Sequence, residues 1–288
     1  MNSLWLSNNK LINNNFIKEI DTSNTSNKTL LETDVCIVGA GIFGLTCAYY
    51  LSNLGYRVTV LEKDKIGEKT TGNTTAKITS QHGLFYSYLA NSYSQKFAQD
   101  YLEANEQAIK NIKNIIDKEK IKCDFEYKNS YVYTTKKEDL KFIKKEQKAI
   151  ENLGFNCEYV TKTGLPFEIE GAICFKNQAQ FHPLKYLNGL CHCITKNNNE
   201  IYTNSTVFDV QKENDFYITF SNNFNVKSKY VIVATHYPFI NFPGFYFAKM
   251  YQSTSYLIAV DTKKTCIFLL QILYYHLELL ITMVKNCY

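Results

Sequence analysis

Arginine and tryptophan are almost missing from this 288-residue chain: Arg57 and Trp5 are each the single residue of their kind. The scarcity of arginine beside abundant Lys, Asn, Ile and Tyr looks like the codon bias of an AT-rich genome rather than a functional choice of charge. The net charge of +5 comes from lysines scattered along the whole length. With no concentrated basic patch interleaved with aromatics, nucleic acid is not an expected partner. Also missing is any CxxC pair: nine cysteines, an odd number, are spread without a repeating spacing, which argues against a disulfide framework or zinc knuckle. Cys191-His192-Cys193 does bring soft ligands together. On the helix expected there, adjacent side chains diverge by about 100°, so no metal site is assigned. The N-terminus has no charged region followed by an apolar one, so no secretory signal is read, and reduced thiols point to the cytoplasm.

What the chain does have is ordinary globular composition, 45% hydrophobic and 20% charged, and enough length for one large α/β unit or two smaller domains. Its most informative stretch is Asp34 to Glu62, DVCIVGAGIFGLTCAYYLSNLGYRVTVLE. Val35–Val38 reads as a buried parallel strand, Gly39, Gly41 and Gly44 form GxGxxG, and Glu62 closes a second strand, Val58–Leu61. Gly39 permits the tight turn, Gly41 lets backbone approach a pyrophosphate, and Gly44 lets the helix pack on the strand. The helix N-terminus then faces the phosphates. Glu62 is placed to accept hydrogen bonds from a ribose diol, where a 2′-phosphate would be repelled. A lone GxGxxG is a weak signal; strand, helix, second strand and terminal acid around it are the context that dinucleotide binding requires.

Elsewhere, residues 1–30 form a polar leader that Trp5 and Leu6 could tack down. A glycine-containing loop, Lys65–Gln81, leads to an amphipathic helix over about Ser94–Glu119, whose Phe97, Tyr101, Ala108, Ile112 and Ile116 are expected to face the core. Alternation over Cys123–Thr135 reads as strand, Lys136–Leu153 as a helix with a solvated lysine face, and Cys157–Val160 and Ile169–Phe175 as short strands. The pattern over residues 86–175 is thus α+β, an inserted substrate-facing layer. Pro183 starts a helix to about Thr195, followed by a strand near Ile201. Val207–Gln211, Phe216–Phe220 and Phe224–Lys227 read as an antiparallel meander. Tyr230–Ala234 reads as another buried parallel strand, whose Ala234-Thr235 end allows close approach of a ligand.

These pieces together resemble the FAD-dependent oxidoreductases of the D-amino-acid oxidase (DAO) type, from about Asp34 to Asp261. The resemblance rests on VCIVGAGIFGLTCAYYL with Glu62, on TTGNTTAKITSQHG, on QAQFHPLKYLNGL and on KYVIVATHYP. It is strongest to bacterial members whose FAD domain is followed by a Rieske domain, as TTAKITSQHG and the leader SLWL suggest. The resemblance implies an α/β fold with a Rossmann-like FAD-binding domain. It implies pyrophosphate contacts from Gly39, Gly41 and Gly44, and ribose contact from Glu62. Thr71, Thr74, Thr75, Ala76 and Lys77 would pass near flavin and phosphates, Val207 would offer its backbone to adenine, and Ala234-Thr235 would lie beside the cofactor. Lys77 is the candidate cation for the reduced flavin and His82 a second catalytic candidate, while His182, before Pro183, reads better as a helix-entry residue. The implied reaction is oxidation of a small amine or amino acid with hydride transfer to FAD, and a separate electron acceptor is a further expected partner.

The chain departs from that family in length and in its tail. No Rieske ligand pattern is found. The FAD-dependent domain is read over 31–264 and an atypical apolar tail over 265–288. Three readings compete for this tail: a frameshifted end of a truncated member, a buried helix through Leu270, Leu273, Leu277 and Leu280, and a membrane helix over Ile267–Val284, disfavoured by Gln271, His276 and Glu278. Two functional alternatives stay open, a non-catalytic flavin-binding remnant and an NAD-dependent dehydrogenase, since GxGxxG with a terminal acid suits NAD equally.

Overall fold

The computed structural model describes residues 3–7, 29–165, 167–252 and 268–272. In chain order its elements are α1 (Leu4–Ser7), β1 (Leu30–Val38), α2 (Ile42–Asn53), β2 (Val58–Leu61), β3 (Lys77–Ile78), α3 (Tyr86–Ser92), α4 (Gln95–Glu119) and β4 (Glu126–Thr134). There follow α5 (Leu140–Asn152), β5 (Glu158–Val160), β6 (Gly171–Gln180), α6 (Pro183–Lys196), β7 (Glu200–Tyr202), β8 (Val207–Glu213), β9 (Phe216–Ser221), β10 (Asn225–Val233), α7 (Tyr246–Lys249) and β11 (Phe268–Ile272). The chain divides into two units, one of Met1–Thr74, Ile121–Cys123 and His182–Ser253, the other of Thr75–Lys120, Asp124–Phe181 and Thr254–Tyr288.

The first unit is built on a six-stranded sheet in the order β7-β2-β1-β10-β9-β8. Its centre is parallel: Val35–Val38 of β1 pairs with Val58–Leu61 of β2 on one side and with Tyr230–Val233 of β10 on the other. Strands buried on both faces need continuous apolar runs, which is why VCIV and VTVL carry no alternation. The meander differs from its sequence reading in one respect. Phe224–Lys227 and Tyr230–Ala234 are not two strands: β10 runs unbroken, its residues 225–228 pairing antiparallel with β9 while still parallel to β1. Helix α2 buries Leu45, Ala48 and Tyr49 and packs against α6, which buries Leu184, Leu187, Leu190 and Ile194. Each fully buried Leu or Ile contributes about 1.5–3 kcal/mol. Helix α6 begins as its Pro183 predicts, with His182 as N-cap: its Nδ1 accepts the Lys185 N–H at 3.4 Å. Cys191 is buried within α6, and burial pushes its thiol up to about 12.

The second unit carries a five-stranded sheet, β11-β4-β6-β3, with β5 also on β6. Val132, Ile173 and Phe175 of the sheet pack on one face with Leu89 of α3, Ala98 and Leu102 of α4, and Ile143 and Ile150 of α5. Helix α4 starts as expected, with Ser94 Oγ accepting the Phe97 N–H, and Ile116 is buried as expected, but the rest of the core stripe is displaced, by about one residue over its first turns. The buried positions are Ala98, Leu102, Ile109, Ile115 and Ile116, while Phe97 is 48% exposed and Ala108 is exposed. The small Ala98 permits close approach to the sheet, and Phe97 stacks on Tyr93 at the surface instead. The apolar tail is corrected where it is described: Phe268–Ile272 is not helical but a strand, parallel to Asn129–Tyr133 of β4. Leu273, Leu277 and Leu280 lie outside the described residues, as does most of the polar leader. Among the described residues no helix is long and apolar enough to cross a membrane.

Candidate active site: the cavity at the strand ends of the first unit

Where β1 ends and α2 begins, the backbone is forced into conformations that only glycine serves well. Gly39 has φ +111°, and a β-carbon there would stand 2.7 Å from the Ala234 carbonyl oxygen at the end of β10. A β-carbon on Gly44 would come within 2.0 Å of the Gly39 oxygen. The first glycine thus admits the neighbouring strand end and the third admits the helix against its own turn. The Ala234 N–H donates to Val38 O at 2.8 Å and the Gly39 N–H to Leu61 O at 2.8 Å, fixing three strand ends together. Above them opens a cavity of about 860 Å³. Its walls include Gly39, Gly41, Glu62, Thr71, Val207 and the Ala234-Thr235 pair.

Glu62 is held from two sides. Oε2 accepts the Ala40 N–H at 2.8 Å and Oε1 accepts the Asp64 N–H at 3.1 Å. A carboxylate has about four acceptor positions, so roughly two are left for a diol. At the opposite wall, Thr235 Oγ1 is buried and has no hydrogen-bond partner within the described residues. Helix α2 has no side-chain N-cap, and its Ile42 N–H reaches only Thr71 Oγ1, at 3.4 Å. An uncapped helix start at a cavity is suited to an anion. Thr71 itself opens a 3-10 turn, Thr71–Asn73, which α1 and α6 both touch.

The structure thus gathers Gly39, Gly41, Glu62, Thr71, Val207, Ala234 and Thr235 at one cavity. Gly44 is not on the wall but packs beneath it. Thr74 closes the same loop, its carbonyl accepting the Trp5 indole N–H at 2.8 Å. Thr75, Ala76, Lys77 and His82 belong to the second unit. There Ala76 takes a left-handed φ of 59°. Exposed His82 sits 3.4 Å by Nε2 from Asn105 Oδ1 and edge-on to Tyr101, both on α4. Also on the cavity wall, and not singled out from sequence, are Lys63, Lys65, Lys69 and His236. Gln252 donates its amide to His236 Nδ1 at 3.3 Å. Lys63 could have been found from its position directly after Glu62; His236 carries no local signal.

The family model of the FAD dependent oxidoreductases (DAO) matches residues 34–280. The chain belongs to this family. A Bacillus subtilis (strain 168) protein described as a Rieske 2Fe-2S iron-sulfur protein, YhfW, is 35% identical over 232 residues, covering 81% of this chain and 46% of its own length. Gamma-glutamylputrescine oxidoreductase of Escherichia coli K12 is 26% identical over 220 residues, 74% of this chain and 50% of that protein. Among solved structures, L-proline dehydrogenase from P. horikoshii superposes with a TM-score of 0.58 at 19% identity, over 73% of this chain and 54% of that one. The chain therefore spans about half the length of the curated relatives it matches. FAD is the cofactor of the family, in place of the NAD alternative. The cavity fits that group: a glycine cradle that β-carbons would fill, a carboxylate with acceptor positions to spare, and an orphaned buried hydroxyl.

Proposed function

We propose that the first unit binds FAD through this cavity and that the protein oxidises a small amine or amino acid, the electrons passing onward to a separate acceptor. In this reading Glu62 takes the ribose hydroxyls. Gly39, Gly41 and the α2 N-terminus take the diphosphate, with Gly44 holding the helix in place for it. Val207 offers its backbone to the adenine, and Thr71 through Lys77 and Ala234-Thr235 follow the rest of the cofactor. The observation that carries the reading is the doubly held Glu62 carboxylate beside the glycine cradle, because it fixes an acceptor at the position a ribose diol requires. Bound FAD would supply the hydride acceptor for the carbon bearing the amine. Lys77 would supply positive charge to the reduced cofactor, and His82 is the second candidate group in the chemistry.

The cofactor part is tested by the visible spectrum of the purified chain with and without added FAD. Flavin absorbance that co-purifies, or appears on addition and survives gel filtration, is expected; its absence in both cases refutes FAD binding. The reaction part is tested by anaerobic bleaching of that flavin with amines, amino acids and hydroxy acids. The alternative left open by the sequence is a flavin-binding portion without catalysis of its own. It predicts a flavin that binds normally and is bleached by dithionite but by none of the substrates.

A further inference from the structure

We infer that the N-terminal turn around Trp5 is a positioning element for the cofactor, holding the cavity loop in its binding conformation before the cofactor arrives. The inference rests on the FAD reading above. The loop from Lys65 to Thr74 supplies Lys65, Lys69 and Thr71 to the cavity wall, yet its only regular structure is the short turn Thr71–Asn73. Something outside the loop must define it.

Three contacts from α1 and its preceding residue do so, all at the end of the loop that bears Thr71. Ser3 Oγ donates to the Gly72 carbonyl, Trp5 Nε1 donates to the Thr74 carbonyl at 2.8 Å, and Leu6 lies on Gly72. Gly72 is buried, and a β-carbon on it would stand 2.4 Å from Gly67 O and 3.1 Å from Leu6 Cδ2. The loop is thus folded on itself beneath Leu6 with no space to spare. The Trp5 ring meets the His182 ring edge-on at 4.8 Å between centroids, and His182 is fixed in turn as the N-cap of α6. The indole is therefore a strut from a rigid helix start to the carbonyl of Thr74. Thr71, three residues before, is the residue whose hydroxyl meets the α2 N-terminus. A loop ordered in advance spares binding the entropy of ordering it, which appears as affinity.

The test uses the full chain, with FAD dissociation constants measured by flavin fluorescence for wild type, Trp5→Phe, Trp5→Ala, Thr71→Ala and Trp5→Ala/Thr71→Ala. Trp5→Phe keeps a ring against His182 and loses only the indole N–H, so it stays folded and is expected to bind FAD about three- to tenfold more weakly, the worth of one neutral hydrogen bond. Trp5→Ala is expected to lose more. Because Trp5 is expected to act through the Thr71 turn, the double variant should bind no more than about twofold more weakly than the weaker single variant. A merely structural role would lower stability without this non-additivity. Trp5 is also the single tryptophan, so its emission should fall on FAD binding by energy transfer to the flavin. Wild-type affinity in both Trp5 variants, independent multiplication of the two losses, or emission indifferent to saturating FAD overturns the inference alone. Failure of the wild-type chain to bind FAD overturns the FAD reading and the inference together.

Discussion

Replacing Glu62 by Gln tests the geometry most directly, because the change keeps the shape and removes the charge. In the native arrangement both carboxylate oxygens accept a backbone N–H, from Ala40 at 2.8 Å and from Asp64 at 3.1 Å. An amide has one oxygen and one NH2, so Gln must aim a donor at one of these N–H groups or turn away from it. One backbone donor is then left unmatched, at a cost of about 1–3 kcal/mol to the cofactor-free protein. On the FAD reading proposed above, the same change removes one charged acceptor from the ribose diol. Hydrogen bonds to charged groups contribute about 1.5–3 kcal/mol, so FAD binding should weaken by about 10- to 150-fold. The two losses are separable: urea unfolding without cofactor reads the first, and fluorescence titration with FAD reads the second. ADP, which carries the ribose and diphosphate but no flavin, should lose affinity by the same factor. Wild-type affinity of Glu62→Gln for both FAD and ADP would refute the assignment of this cavity to an adenosine dinucleotide.

Four further outcomes are expected. Gly44→Ala places a methyl 2.0 Å from the Gly39 oxygen and is expected to cost about 3 kcal/mol or more, read as a lowered unfolding midpoint together with lost FAD binding. Glu146 is buried, accepting the Tyr86 and Ser87 N–H groups at 2.6 and 2.8 Å, yet burial outweighs those bonds and raises its pKa above the ordinary 4.5. A raised carboxyl stabilises below its unfolded pKa and loses that contribution as pH rises through the folded one, so wild-type stability relative to Glu146→Gln should fall as pH climbs from 4.5. Asp34 runs the other way: its bonds with the Arg57 backbone and side chain hold its pKa low. Its contribution, below about 1 kcal/mol for so exposed a pair, is present at neutral pH and lost as pH falls through the lowered value, where Asp34→Asn should match wild type. Lys77→Met, in a chain whose flavin an amine reduces, is expected to slow that reduction by about 10²-fold or more, and an unchanged rate would remove Lys77 from the chemistry.

The parts legible in the sequence are those whose cause is local. Val35–Val38, the three glycines, α2 and Glu62 form one continuous stretch, in which close backbone approaches demand Gly39 and Gly44 and the acid directly follows β2, the strand paired with β1. Pro183 likewise announces α6, because its lost N–H is harmless only at a first turn. Legibility fails where partners distant in sequence decide. The stripe of α4 turns on which face can approach a sheet, and Ala98, too small to register as a core anchor, outcompetes the larger Phe97. Strand β10 looks like two strands because Ser228 and Lys229 interrupt its apolar run, yet Ser228 is fully buried between β1 and β9. The helical spacing that begins at Leu270 does not hold for Phe268–Ile272, where an edge of β4 is available, and pairing satisfies a row of backbone groups that an isolated short helix leaves half open. The N-terminal turn is the sharpest case. A segment dominated by Asn and Ser reads as unstructured by composition, and only its lone tryptophan marks it as different. What makes Trp5 a strut is the Thr74 carbonyl 69 residues away and the ring of His182. Neither partner could be assigned from spacing, because His182 is already explained by the helix it caps.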